Sequence, residues 1–249
     1  MSLLDDITIR GEQVRARMYE LLQRHEYGTD IKTVVLLAYV AITLEDHKAI
    51  WLLSKFGLNG SAFALLRVMF DAYWRALWIN KVATLEQIEQ ASRDELWFPK
   101  MSKMRDEIKQ TYFATPDEKE LTAEELAQAK ELSELGDKFF ALLTKVWPIL
   151  NSYTHSGGLQ ISRRFTGDEV KPNYTEGEIA QGLSSATTAL LLLHMFFVSV
   201  GGYEEVEEIH ALLRQYHGDF GERLRAVNAE RSSAVVTQFA PHGSQRFSD

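Results

Sequence analysis

The sequence predicts an all-α protein, a multi-helix bundle built on a long central helical hairpin. Apolar residues recur at three- and four-residue spacing through most of the 249 positions, the period that lines one face of a helix. Helix starts are written as capping boxes at Thr84-x-x-Gln87, Thr115-x-x-Glu118, Thr122-x-x-Glu125 and Thr175-x-x-Glu178, where side chain and backbone satisfy each other's unpaired groups. No alternating apolar and polar run closed by a hairpin turn stands out.

The first helix is expected over 3–26, stopped by Gly28, and the second over 30–56, stopped by Gly57. Gly57-Leu58-Asn59-Gly60 then turns the chain into a helix over 60–82, the expected centre of the fold. Its residues Ala62, Leu65, Leu66, Met69, Phe70, Tyr73 and Leu77 form one apolar stripe. Phe63, Phe70, Trp74 and Trp78 form another, so the helix is covered on more than one side. Gly60, Ser61, Ala64, Ala72 and Ala76 let neighbouring helices approach closely. Helices over 84–96 and 99–113 follow, the second opening on Pro99, a residue tolerated in a first turn. A long helix over 122–156 bends near Pro148. After a long irregular loop between Gly157 and Asn173 comes a helix over 175–200. Here Ile179, Leu183, Ala186, Leu190, Leu193 and Phe197 repeat at heptad spacing as a bundle seam. A helix over 203–217 closes the series. Residues 1–228 thus form a single helical domain, and 229–249 read as a loosely held tail. Within the domain, about 115–137 form an acidic helical arm whose charges mark a solvated face.

Hydrophobic residues at 45% and aromatics at 11% supply a real core and exclude a disordered chain. A net charge of −8 argues against a protein that coats nucleic acid electrostatically, leaving room only for a local basic patch. The absence of cysteine excludes disulfides, thiolate zinc sites and a cysteine nucleophile, and with no signal-like leader the expected compartment is cytoplasmic. The one membrane candidate, 186–200, falls short of the roughly 20 apolar residues a span needs and carries His194, so it reads as a core helix and no membrane partner is expected. Glu207-x-x-His210 matches half of a di-iron pattern that has no second half here, and Walker, Rossmann, Gly-x-Ser-x-Gly and His-Glu-x-x-His motifs are missing. Neither metal nor cofactor is expected.

The most informative stretch is the polar knot Asn151-Ser152-Tyr153-Thr154-His155, which follows the apolar Val146-Trp147-Pro148-Ile149-Leu150 and runs into Gly157-Gly158, with Arg163-Arg164 shortly after. Asn151 and His155 are four apart and share a helix face. They read either as a buried hydrogen-bond network at the bend or as a ligand site, where histidine exchanges protons near neutral pH. Arg67, Asp71 and Arg75 repeat every four residues on the central helix. They form either a structural charge ladder or an anion clamp in which Asp71 fixes the fork of Arg67. His47 interrupts the stripe Val40, Leu44, Trp51; in an antiparallel hairpin it falls opposite 67–71, which suggests a His47, Arg67 and Asp71 cluster. A third arrangement is a small-molecule pocket lined by Trp51, Trp74, Trp78 and Tyr153, with Arg67 taking an anionic group.

The segments His47 to Ile50, Gly60 to Tyr73 and Asn151 to His155 resemble an uncharacterised family of bacterial helical proteins, a resemblance that covers most of 30–215. More remotely, Asn151-x-x-x-His155 resembles the motif of the HEPN superfamily, helical proteins that include many ribonuclease toxins. The position of that motif's arginine holds Leu150. The resemblance implies a HEPN-like bundle in which histidine helps transfer the 2′-hydroxyl proton and arginine stabilises phosphate charge. Carried onto this chain it makes His155 the acid/base and Asn151 its orienting partner, with Arg67 and Arg163 or Arg164 as replacement cations. Tyr153, Asp71 and His47 complete the ligand-binding set. The expected ligand is RNA or a phosphorylated small molecule, the expected reaction a metal-independent ribonuclease cut, and the expected assembly a homodimer whose facing motifs compose one site. The alternative is a non-catalytic interaction or regulatory protein in which the same polar residues are structural.

Overall fold

A computed structural model describes residues 3–112, 147–155, 157–166 and 169–201, together with 207–209, 211–212, 214–216 and 218. The helices are α1 (Leu3–Gln23), α2 (Ile31–Lys55), α3 (Asn59–Lys81), α4 (Leu85–Ser92), α5 (Met101–Tyr112), α6 (147–154), α7 (Gly158–Ser162) and α8 (Glu176–Gly201). The fold is all-α, as the periodicity predicts. The acidic arm at 115–137, its capping boxes at Thr115 and Thr122, His210 and the tail at 229–249 lie outside the described residues. The expected helix over 203–217 is described only in part, with helix at 207–209, 211–212 and 214–216.

The α2–α3 hairpin is the largest packing unit. Asp30 caps α2, accepting the Thr33 backbone N–H at 3.0 Å. The helix ends in a Schellman arrangement: Leu58 N–H donates to Leu53 O at 2.8 Å and Gly57 N–H to Ser54 O at 3.0 Å. That geometry needs a left-handed residue, and Gly57 supplies it at φ 73. Both predicted stripes of α3 face the core: Ala62, Leu66, Met69, Tyr73 and Leu77 are buried with Leu65 half-buried beside them, and Phe63, Phe70, Trp74 and Trp78 are buried on the second side, while Ile79 is fully enclosed as well. Burying a side chain the size of Met69 or Ile79 contributes about 1.5–3 kcal/mol, so α3 is the energetic centre. The seam of α8 is buried at Leu183, Ala186, Leu190, Leu193 and Phe197, and α8 packs on α1, α2 and α3.

Several boundaries differ from the sequence reading. Helix α1 stops at Gln23 rather than 26, where the Tyr27 hydroxyl donates to Leu22 O at 2.9 Å and takes over an end carbonyl. Helix α4 opens on the predicted Thr84 and Gln87 capping box but stops at Ser92 rather than 96. Asp94 takes φ 57 there, and the Glu95 N–H bonds to Gln90 O at 2.9 Å, a second Schellman end with aspartate in the place of glycine. The loop expected between Gly157 and Asn173 contains α7 and a minimal antiparallel ribbon, β1 (Phe165–Thr166) and β2 (Glu169–Val170). Gly167-Asp168, a two-residue hairpin signal, separates the two strands in sequence. The helix that holds the membrane candidate falls where it was expected, but its stretch apolar enough to cross a bilayer by length and composition, Glu176–Val198, is longer than the 186–200 read from the sequence; 72% of its most apolar window is buried inside the bundle.

Candidate functional site

Helix α6 is short, and its two faces enter different environments. Trp147 and Asn151, one turn apart, meet Arg67 on α3. The Arg67 guanidinium carbon sits 3.4 Å from the centroid of the Trp147 ring, and its Nε donates to Asn151 Oδ1 at 2.9 Å. The same guanidinium pairs with Asp71 one turn further along α3. Only 16% of the Arg67 side chain is exposed, so the cation is held between an indole, an amide and a carboxylate with little water. Sequence spacing thus brings together Arg67 and Asp71, and the fold adds Asn151 and Trp147. The third member of the predicted ladder departs: Arg75 bonds Tyr39 and lies over the Phe98 ring, 4.6 Å from its centroid.

The other face of α6 carries Leu150 and Tyr153 into the interior, where they are 3% and 6% exposed. Tyr153 stands edge-on to Phe63 at 5.2 Å, and Phe63 is in turn edge-on to Tyr174 at 5.5 Å. Phe63, Leu150 and Tyr153, with Leu66, Ile149, Arg163, Glu178 and Gln181, line a cavity of about 330 Å³. Arg163 pairs with Glu178 and bonds Tyr153. Burial pushes the Tyr153 hydroxyl up, and the same cause raises Tyr174. Burial alone raises a carboxyl too, yet Glu178 is held below its usual range by bonds from Thr175 and by Arg163. Phe63 has its place because α8 carries Gly182 beneath it: a Cβ there would lie 2.2 Å from Phe63 Cε1. Gly182→Ala is therefore expected to destabilise the protein by about 1–3 kcal/mol in urea titration, by forcing Phe63 off its rotamer and away from Tyr153. An unchanged midpoint would show that Phe63 does not set the cavity wall.

The remaining predicted residues separate. The His155 side chain is exposed at the end of α6, where its backbone N–H closes on Asn151 O at 3.0 Å. Asn151 spends its amide oxygen on Arg67, so it is tied to the cation across the helix pair rather than serving His155 as orienting partner. Arg164 lies over the start of α3, with Nη2 2.8 Å from where a Gly60 Cβ would stand, beside the Tyr174 hydroxyl. His47 joins neither Arg67 nor Asp71. It is fully buried between α2 and α8, accepting the Trp51 indole N–H at 3.1 Å, with Thr187 Oγ1 also at 3.1 Å. The hairpin does place His47 at the depth of α3, but its ring is rotated toward α8. Burial, with Arg15 and His194 nearby, pushes its pKa down to about 3.

The expected aromatic pocket is not assembled either. Trp51 is in the core on His47, Trp78 donates to Glu107 at 2.7 Å, and Tyr153 lines a different cavity from Trp74. Trp147 is the residue that sequence reasoning missed, since next to Pro148 in an apolar run it reads as core. Its signal was spacing, one turn before Asn151. Among the described residues no group of three or more His, Asp or Glu is gathered as a metal site.

No curated protein and no solved structure matches the chain. A family model does, over residues 40–222, which takes in α3, α6, α8 and every side chain of the Arg67 and Arg163 assemblies. With well over half of its length matched, this chain belongs to a family of unknown function, DUF6988.

Proposed function

We propose that the protein binds RNA or another phosphorylated ligand on the Trp147, Asn151 and His155 face of α6, with Arg67 as the cation beneath it and His155 as the group that moves a proton. The observation that carries this reading is the bond from Arg67 Nε to Asn151 Oδ1 at 2.9 Å. Leu150, at the position of the arginine in the motif this stretch resembles, is buried in the core, and a guanidinium from α3 reaches Asn151 from across the helix pair. An exposed imidazole one turn beyond that amide is accessible to a ribose hydroxyl and needs no metal for general acid/base transfer. Held among Asp71, Asn151 and Trp147, Arg67 enters such a site pre-positioned.

The test is incubation of the protein and its His155→Ala variant with total tRNA and mRNA in chelator, with cut ends mapped. The expected result is cleavage reduced about 100-fold or more in the variant. Retained RNA binding without cleavage in both proteins would make the face a binding surface only. A folded wild type that neither binds nor cuts RNA would overturn the reading. One observation favours a second reading: Asp71 already pairs with Arg67, and Glu178 with Arg163, so both assemblies also serve as cross-braces in a non-catalytic interaction protein.

A further inference from the structure

Three cavities are described, and their linings differ in charge. One, between α1 and the helical residues near 215, is lined by Asp6 as well as Arg10 and Arg17. The Tyr153 cavity contains the Arg163 and Glu178 pair. The third, about 400 Å³, is lined by Trp74, Lys100, Met101, Ser102, Arg105, Trp147 and Pro148. It has two cations and no carboxylate in its wall, and two indoles for its apolar surface. Lys100 is exposed and makes no ion pair among the described residues. Arg105 pairs with Asp106, which stands outside the lining.

We infer that this cavity is a binding site for a planar aromatic ring carrying an anionic group, the ring lying against Trp147 and the anion taken by Lys100 and Arg105. The volume lies in the range of small-molecule pockets. Arg67 already covers one face of Trp147 from outside the cavity, which fixes the indole's orientation and leaves the rest of the ring to the ligand. Indole surfaces accept rings by stacking, without regard to ring identity, and flanking cations select those that carry negative charge. The site shares Trp147 with the proposed RNA-binding face but takes its anion on Lys100 and Arg105 rather than at His155.

A nucleotide and an aromatic carboxylate both have this chemistry, and titration of Trp fluorescence distinguishes them. The probes are AMP and 4-hydroxybenzoate, with adenosine and inorganic phosphate as half-ligands. The expected result is saturable quenching by one of the two complete probes and weaker binding of both half-ligands. Affinity should fall about tenfold or more in Lys100→Glu, and in Arg105→Glu as a second variant. Trp147→Phe, checked for folding by circular dichroism, should lose most of the signal. Failure of both complete probes to bind, or binding unchanged in both charge variants, would overturn the inference whatever the outcome with RNA.

Discussion

Acidification from pH 7 to pH 4 is expected to withdraw about 3 kcal/mol of stability through each of two buried histidines, enough to unfold a typical domain. His47 is fully enclosed and its pKa is pushed down to about 3 by burial, then by Arg15 and His194. His194, 1% exposed, is pushed down by burial to about 4, although its Nδ1 bond to Leu190 O works the other way. Both folded values lie below the unfolded value of about 6.5. Between the two limits the unfolded chain binds more protons than the folded one, so stability is complete above about pH 6.5 and declines as pH falls toward the folded values. Half-buried Asp46, raised to about 6 by burial and by Glu45, acts in the opposite sense and offsets a smaller part, because water screens it. Urea titrations at pH 7 and pH 4.5 measure the difference, and His47→Gln and His194→Gln should each flatten the pH slope. Equal stability at the two values would mean that both imidazoles are hydrated in the folded protein.

The second large effect belongs to Arg67. Its replacement by alanine leaves Asp71, 28% exposed, without its partner, deprives Asn151 Oδ1 of a donor, and uncovers Trp147. The expected loss is roughly 2–4 kcal/mol, most of it from the stranded carboxylate. Arg67→Lys should recover little, because an ammonium cannot reproduce the planar fork that meets indole, amide and carboxylate together. In contrast, Arg67→Leu combined with Asp71→Leu should be more stable than Arg67→Ala alone, since no charge is then left without its partner. If Arg67→Ala unfolds at the wild-type urea midpoint, α6 is held to α3 by its apolar contacts alone.

What was legible in the sequence follows from the range over which each signal acts. The stripes of α3, the seam of α8 and the capping boxes at Thr84 and Thr175 are local, set by residues within a few positions of one another, and each is where the periodicity places it. The Arg67 and Asp71 pair was equally local. The partners across helices were not. Asn151 meets Arg67 across 84 positions of chain, and His47 meets Thr187 across 140, distances at which spacing carries no geometric content. The His47 and Arg67 cluster failed for the same reason, since equal depth in a hairpin does not fix which way a ring turns. The left-handed Asp94 that ends α4 was missed because aspartate is an uncommon occupant of that position, where glycine would have announced the stop.

Glu178 has a consequence beyond the cavity it lines. One of its oxygens accepts both the backbone N–H and the hydroxyl of Thr175, while the other meets Arg163, which stands between α7 and β1. The first turn of α8 and the end of the α7 segment are therefore fastened at a single carboxylate. Such a joint makes them one cooperative opening unit, and amides on both sides should share a common free energy of hydrogen exchange. Breaking that joint would free the start of a core helix together with the connection that precedes it.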